Sequence, residues 1–384
     1  MNNFTYHNPT RIVFGRGTIA ELNRLVPPGH KVMITSDGRS PMQNGVYDQI
    51  RSALAGRTLL DFGGIEANPP YECLMEAVQL ARRERPDLLL AVGGGSVIDG
   101  TKFVAAAVPY EGADPWDIAT SRATVTSAVP LGVVLTLAAT GSESNNFAVI
   151  SRRATQEKFA FSSDHLYPRF AILDPSTTFS LPLKQVRNGV VDAFVHVLEQ
   201  YATYPVHGTV QDRQAEALLL ALLELGPQVL ARTDDFDLRA DLMWAANQAL
   251  NGLIACGVPE DWATHRIGHE LTALYGIDHA ESLAVVVPAL LRRQRATKAA
   301  KLEQYARRVW GVAEPDTDAA IEAGIRRTVK FFESLGMPTR LVHYGIDPAD
   351  AARRVGERFT ARQNHFGERA DVDGPRAAEI LRAC

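Results

Sequence analysis

The sequence predicts two unlike parts: an α/β N-terminal domain with a parallel sheet, residues 1–178, and an all-α C-terminal domain, residues 179–384. Three observations carry this. In the first part, short apolar runs alternate with stretches of helical period, the pattern of a parallel sheet covered on both faces. Two of those runs end in turns rich in glycine or hydroxyls. Beyond about residue 178, strand-like runs become rare and long helical patterns dominate.

Taken in order, Arg11–Phe14 reads as an edge strand closed by Gly15-Arg16-Gly17, and Thr18–Leu25 as a short helix ending at Pro27-Pro28-Gly29. Lys31–Thr35 is a compact apolar strand running into the turn Ser36–Ser40. Val46–Leu54 is helical, Thr58–Phe62 a strand, and Tyr71–Arg85 helical again. Leu88–Val92 is a buried strand, followed by Gly93-Gly94-Gly95-Ser96 and a helix over Val97–Ala107. Ala128–Leu137 is a further strand with a turn at Ala138–Ser144. Ala148–Ser151 pairs with Lys158–Phe161, and Phe170–Leu173 is the last buried strand before the stop signal Asp174-Pro175. Helices are then expected over Gln185–Ala202, Val210–Val229, Leu238–Ala255, Asp261–Tyr275, Leu283–Ala296, Ala299–Val309, Asp318–Leu335 and Pro348–Arg354.

The 384 residues are 46% hydrophobic and 22% charged, ordinary for a soluble globular protein. A formal charge of −4 gives no electrostatic reason for a nucleic-acid or anionic-membrane partner. The opening MNNFTYHNPTRIVFG lacks the basic and apolar regions of a secretory signal. Apolar runs such as Ala217–Leu223 fall short of a membrane span. Cys73, Cys256 and Cys384 have neither metal-type nor disulfide-framework spacing, which fits a reducing compartment and a cytoplasmic location.

The stretch Gly252–Glu281 organises the chemistry. His265 and His269 stand at i, i+4 on one helical face. His279 is fourteen residues past His265, roughly 21 Å of rise on a straight helix and too far to share a metal. A helix stopping at Gly276 lets the chain turn back and bring His279 beside the pair. Asp192 and His196 form a second i, i+4 pair in VVDAFVHVLEQYA. An Asp/His pair on one helix and two histidines from another make a four-ligand divalent site; surface or core-satisfied histidines are the bland alternative for either pair alone.

Leu88–Asp99 reads strand, glycine turn, helix start. Glycines let the backbone approach a pyrophosphate, and the N–H groups of a helix start donate to its oxygens. A tight strand-to-helix turn with no ligand is the competing reading. Thr136–Glu143 is a second such turn, and Lys158 is a candidate phosphate cation. Asp37 suits the hydroxyls of an adenosine ribose and repels the 2′-phosphate of NADP, whereas Arg39 and Ser40 suit that phosphate. Gly38 completes the turn.

The motifs GGGSVIDGTKFVAAA, TLAATGSESN and ILDPS, the Asp192/His196 pair and HRIGHELTALYGIDHAESLAVVVPALL together resemble the iron-containing alcohol dehydrogenases. FGGIEANPPYE and QALNGLIACGVPEDWATH extend the resemblance over nearly the whole chain, least well over the last forty or so residues. It implies a dehydroquinate-synthase-like fold, with an N-terminal dinucleotide-binding domain, an all-helical C-terminal metal-binding domain, and cofactor and metal in the cleft between them. It implies Fe²⁺ or Zn²⁺ held by Asp192, His196, His265 and His279. It implies NADP or NAD bound through Gly93, Gly94, Gly95, Ser96, Asp99, Thr136, Leu137, Thr140 and Ser142, with Asn68, Asn145 and Lys158 nearby. It further implies a homodimer or larger. The NADPH-using relatives carry Gly-Gly-Gly-Ser where this chain has Asp37-Gly38-Arg39-Ser40, which leaves the coenzyme open. Many family members have His-Gly at the last ligand, where this chain has His279-Ala280.

The activity so implied is reversible hydride transfer between a nicotinamide and a short to medium aliphatic aldehyde or primary alcohol, the small-molecule partner. His269 is expected beside the nicotinamide, relaying the alkoxide proton; a structural histidine bonded to a backbone carbonyl is the competing reading. Trp262 and Phe147 are candidate walls of an apolar pocket, with core packing as the competing role. A polyol dehydrogenase or a dehydroquinate-synthase-like lyase shares the architecture, and a non-catalytic dinucleotide or metal sensor is the reading from another class.

Overall fold

The computed structural model describes every residue except Arg39 and the side chains of Ser40 and Gln43. The cofactor contacts expected of Arg39 and of the Ser40 side chain therefore lie outside the described residues. In chain order the regular elements begin β1 (Arg11–Phe14), α1 (Leu22–Leu25), β2 (Lys31–Ser36), α2 (Ser40–Gln43), α3 (Val46–Ala53), β3 (Thr58–Phe62) and α4 (Tyr71–Glu84). They continue β4 (Leu88–Gly93), α5 (Gly95–Ala107), α6 (Trp116–Ala119), β5 (Leu131–Leu135), β6 (Phe147–Arg152), β7 (Glu157–Ser162) and β8 (Phe170–Leu173). Helices follow: α7 (Leu183–Tyr201), α8 (Thr209–Ala231), α9 (Phe236–Ala249), α10 (Ala263–Tyr275), α11 (His279–Arg293), α12 (Arg295–Arg308), α13 (Thr317–Ser334), α14 (Pro348–Ala361) and α15 (Gly374–Arg382).

The chain divides into two compact units. His7–Pro182 with Thr233–Asn251 forms one, and Met1–Tyr6 with Leu183–Arg232 and Gly252–Cys384 the other. This corrects the single cut expected at 178/179. α9 joins the sheet unit because its side chains are claimed there. Phe236 lies under the Arg16 guanidinium at 4.1 Å, Trp244 meets Phe14 edge-on, and Asn247 Nδ2 donates to Glu143 Oε1 and Ser144 Oγ at 2.8 Å each. The first residues join the helical unit through the Asn2 N–H, which donates to the Gly257 carbonyl at 2.9 Å.

In the sheet unit six strands pair in the order β1-β8-β5-β4-β2-β3, all parallel. β4 is buried along its whole length, which is why Leu88–Val92 shows no alternation of polar and apolar residues. The chain runs from β2 outward to β3 and then crosses back to place β4 on the other side of β2. The carboxyl ends of β2 and β4 therefore flank a switch point, where open α/β sheets bind ligands. β6 and β7 form a separate antiparallel ribbon.

The helical unit is built around α7, buried almost without interruption from Asn188 to Tyr201. By length and composition α8 is apolar enough to cross a membrane, although its uninterrupted apolar run, Ala217–Leu223, is as short as the sequence shows. It buries Leu219, Leu222 and Val229, and its Glu216 accepts from the Tyr201 hydroxyl at 2.9 Å.

Several boundaries move. α9 stops at Ala249 rather than 255, ahead of Gly252 and Gly257 in the left-handed region. α11 starts at His279 rather than Leu283, because Asp278 is already extended and Gly276 has ended α10 at φ +71. α14 continues to Ala361, and α15 was not foreseen.

Candidate functional site

In the helical unit the two histidine segments converge. Asp192, His196 and Glu199 stand at i, i+4 and i+7 on α7, one stripe of a single helix. α10 carries His265 and His269, and the Gly276 turn places His279 at the first position of α11. Asp192, His265 and His279 each bring one donor atom within 4.8 Å of the others. His279 Nε2 is 3.6 Å from Asp192 Oδ1. His196 is not within that three-residue group but adjoins it: its Nδ1 is 3.9 Å from Asp192 Oδ1 and its ring stacks on His265 at 4.6 Å. The His269 ring centroid lies 5.4 Å from that of His279.

Burial shifts His196 and Glu199. It pushes the His196 imidazole down to about 4, the neighbouring His265 adding to the effect and Asp192 opposing it. His196 is therefore neutral, with Nδ1 buried and lacking a hydrogen-bond partner. Behind His265 stands Glu199, whose carboxylate contacts His265 Nδ1 and accepts the Thr264 N–H at 2.6 Å. Burial pushes Glu199 up to about 7 against those donors and Lys298. One carboxylate, three imidazoles and a carboxylate behind one of them suit a divalent transition-metal ion, iron or zinc alike. Trp262, at φ +62 just before α10, lays its ring 5.2 Å from His265 and 6.0 Å from His196.

In the sheet unit the two glycine- and hydroxyl-rich turns meet. β4 and β5 are neighbours, with Gly93 in register with Leu135 and the Thr136 N–H donating to the Gly93 carbonyl at 3.1 Å. A Cβ on Gly94 would stand 2.9 Å from Leu137 Cβ, and one on Gly95 2.6 Å from Thr140 Cγ2. The glycines are thus needed for turn-on-turn packing as well as for any phosphate. Gly94 precedes α5 with no side chain capping it. Ser96 Oγ accepts the Asn68 N–H at 3.2 Å, and Lys158 Nζ donates to Asn68 Oδ1 at 2.7 Å, so three expected cofactor contacts gather at one place. Gly38, at φ +78, packs against Gly63 and Gly64 beyond β3 beside the half-buried Asp37.

Three expected contacts are spent internally. Asp99 accepts from Ser142 Oγ at 2.6 Å and from the Val149 N–H at 2.9 Å. Asn145 Oδ1 accepts from Lys102 at 2.9 Å, and its Nδ2 donates to the Gly141 and Leu250 carbonyls. The hub is Lys102, which sequence reading passed over. Its ammonium donates to Ser142 Oγ, Asn145 Oδ1 and the Phe147 carbonyl at 2.9, 2.9 and 2.7 Å. Burial lowers it to about 8 against the pull of Asp99 and Glu143. A lone lysine in the apolar run VIDGTKFVAAA was the available signal, since an unpaired buried lysine is costly. Phe147 is 48% exposed, which rules out the core-packing role considered for it.

Residues 9–175 match the family model described as iron-containing alcohol dehydrogenase, and residues 187–382 the model of the C-terminal part of the same family. The chain is 54% identical to the NADPH-dependent aldehyde reductase YqhD of Escherichia coli K12, over 97% of each chain. It is 41% identical to a probable NADH-dependent butanol dehydrogenase of Bacillus subtilis, over 90% of this chain and 91% of that one. The crystal structure of E. coli YqhD superposes with a TM-score of 0.96 at 52% identity, covering 100% of this chain and 99% of that one. A butanol dehydrogenase from Thermotoga maritima superposes with 0.94 at 35% identity, covering 100% and 98%. The chain belongs to the iron-containing alcohol dehydrogenase family and is an oxidoreductase acting on CH–OH groups.

Proposed function

We propose that the protein reduces short to medium aliphatic aldehydes, and in reverse oxidises primary alcohols, using a nicotinamide dinucleotide and one divalent metal ion. The balance is aldehyde, NAD(P)H and one proton to alcohol and NAD(P)⁺. The convergence of Asp192, His265 and His279 from three helices carries this reading. Asp192, His265 and His279, with His196 as fourth ligand, would hold a divalent cation there, which would supply Lewis-acid polarisation of a carbonyl oxygen.

The chain's own residues do the rest. Asp192 brings the negative charge, and burial keeps His196 neutral, so little proton displacement opposes binding. The β4 and β5 turns and the start of α5 receive the pyrophosphate, with Asn68, Ser96 and Lys158 as a polar group beside it. His269 relays the proton needed by the oxygen of the reduced product. Trp262 walls the apolar side of the pocket.

NADP or NAD as coenzyme and iron or zinc as metal are all admitted by this reading. YqhD uses NADPH and the Bacillus relative is named for NADH, while Asp37 in this chain disfavours a 2′-phosphate. The family resemblance brings a homodimer with it, and the spacing of the three cysteines fits a cytoplasmic location. Initial rates with butanal and NADPH or NADH, on iron- and zinc-reconstituted protein, test activity, coenzyme and metal together. Absence of turnover in all four combinations contradicts the proposal.

A further inference from the structure

The N-terminus of α10 is capped from outside its own sequence. Trp262, the residue before the helix, is in the left-handed region and offers no side-chain cap. The first helical N–H groups go instead to two carboxylates. Asp261 Oδ1 accepts from Ala263 at 2.9 Å; Glu199, on α7, accepts from Thr264 at 2.6 Å and from His265 at 3.3 Å. Carboxylates at a helix start are favoured by the exposed N–H groups and the positive end of the helix dipole. Here, however, the same Glu199 oxygen that receives the His265 N–H also contacts His265 Nδ1. One carboxylate therefore holds His265 by backbone and ring together, and it comes from the helix that carries Asp192 and His196.

We infer that Glu199 is the positioning residue of the metal centre: it selects the His265 tautomer with the proton on Nδ1, so that Nε2 carries the lone pair a metal would take, and locks the spacing between α7 and α10. An ionised carboxylate can only accept, so at the pH of the test below the ring nitrogen facing it must carry the proton. Carboxylates that fix a ligating imidazole in this way typically hold 10–100-fold of metal affinity. The support continues behind Glu199. The Glu199 carbonyl accepts the Asp261 N–H at 2.9 Å, and Asp261 Oδ2 pairs with Lys298 Nζ at 2.6 Å. The Asp261 carboxylate is thus held from a second direction, and Glu199 is tied to Asp261 through its own backbone. Glu199 is buried behind His265, so its effect on the reaction acts through that ring. The inference rests on the metal site proposed above, and its test separates the two.

The experiment has two arms. In metal-free wild-type protein at pH 8, long-range ¹⁵N–¹H correlation of the histidine rings reads the His265 tautomer directly, assigned by its disappearance in His265→Asn. The Nδ1–H form is expected, and the Nε2–H form overturns the inference without any Glu199 variant having to fold. In the second arm, Zn²⁺ affinity is measured by competition with a chromophoric chelator for wild type, Glu199→Gln and Asp192→Asn. Glutamine keeps the shape but presents an N–H either to Thr264 or to His265 Nδ1, setting donor against donor. Affinity about 10–100-fold weaker in Glu199→Gln, with unchanged circular dichroism, is the expected result. Wild-type affinity in Glu199→Gln beside loss in Asp192→Asn overturns the role of Glu199 and leaves the metal site standing. Wild-type affinity in Asp192→Asn overturns the site itself, and the tautomer arm then still decides what Glu199 does to His265.

Discussion

Lys298 Nζ lies 2.6 Å from both Asp261 Oδ2 and Glu368 Oε2, and none of the three side chains is more than 3% exposed. A single buried ammonium thus faces two carboxylates, with the Ala202 carbonyl as a third acceptor at 2.9 Å. Removing one partner of a buried ion pair is costlier than the pair is worth, because a charge is left in low dielectric. Lys298→Met is expected to lose about 3–5 kcal/mol of stability, read from urea unfolding. A loss below about 1 kcal/mol would show that water reaches the cluster.

The glycine turn makes a steric prediction. Gly95→Ala puts a methyl 2.6 Å from Thr140 Cγ2, and Gly94→Ala one 2.9 Å from Leu137 Cβ. Either change pushes the β4 and β5 turns apart, at about 1–3 kcal/mol for an overpacked site. Coenzyme KM should rise in both variants, with Zn²⁺ affinity unchanged. Unaltered coenzyme KM would mean that the turns do not hold the dinucleotide.

Lys102 links stability to pH. Its folded pKa of about 8 lies below the ordinary 10.5, so between these values the unfolded chain holds a proton that the folded chain has released. Stability therefore rises with pH across that window, and the penalty is fully present below about pH 8. Lys102→Met removes this contribution, and the slope of unfolding free energy from pH 8 to 10 should be flatter than in wild type. Identical slopes would place the ammonium in contact with solvent.

Trp262 offers an optical readout. Its ring lies 5.2 Å from His265 and 6.0 Å from His196, so metal loading should change tryptophan emission. In Trp262→Phe that change should vanish while Zn²⁺ still binds. A change of wild-type size in the variant would assign the signal to another of the four tryptophans.

The sequence carried the architecture where periodicity was unambiguous. The alternation up to Phe170–Leu173 matches the strands observed, and the Gly276 turn that returns His279 toward His265 was legible from one glycine. Two kinds of feature were not. α9 reads as one more helix of the helical part, and only its partners Phe14, Arg16 and Glu143, all far away in sequence, assign it to the sheet unit. Glu199 and Lys102 look like an ordinary polar residue each, because their meaning lies in N–H groups and hydroxyls that the fold brings to them. Asp99 and Asn145 show the converse: placed by resemblance with the cofactor, they are engaged in holding the turn together.

The central claim is that Asp192, His196, His265 and His279 hold one catalytic divalent cation. Metal content of purified wild type and of Asp192→Asn, His196→Ala, His265→Ala and His279→Ala, each with butanal turnover, tests it most directly. The account predicts about one equivalent of iron or zinc in wild type, with metal and turnover lost together in the variants. Variants that keep both the metal and the turnover of wild type would contradict it.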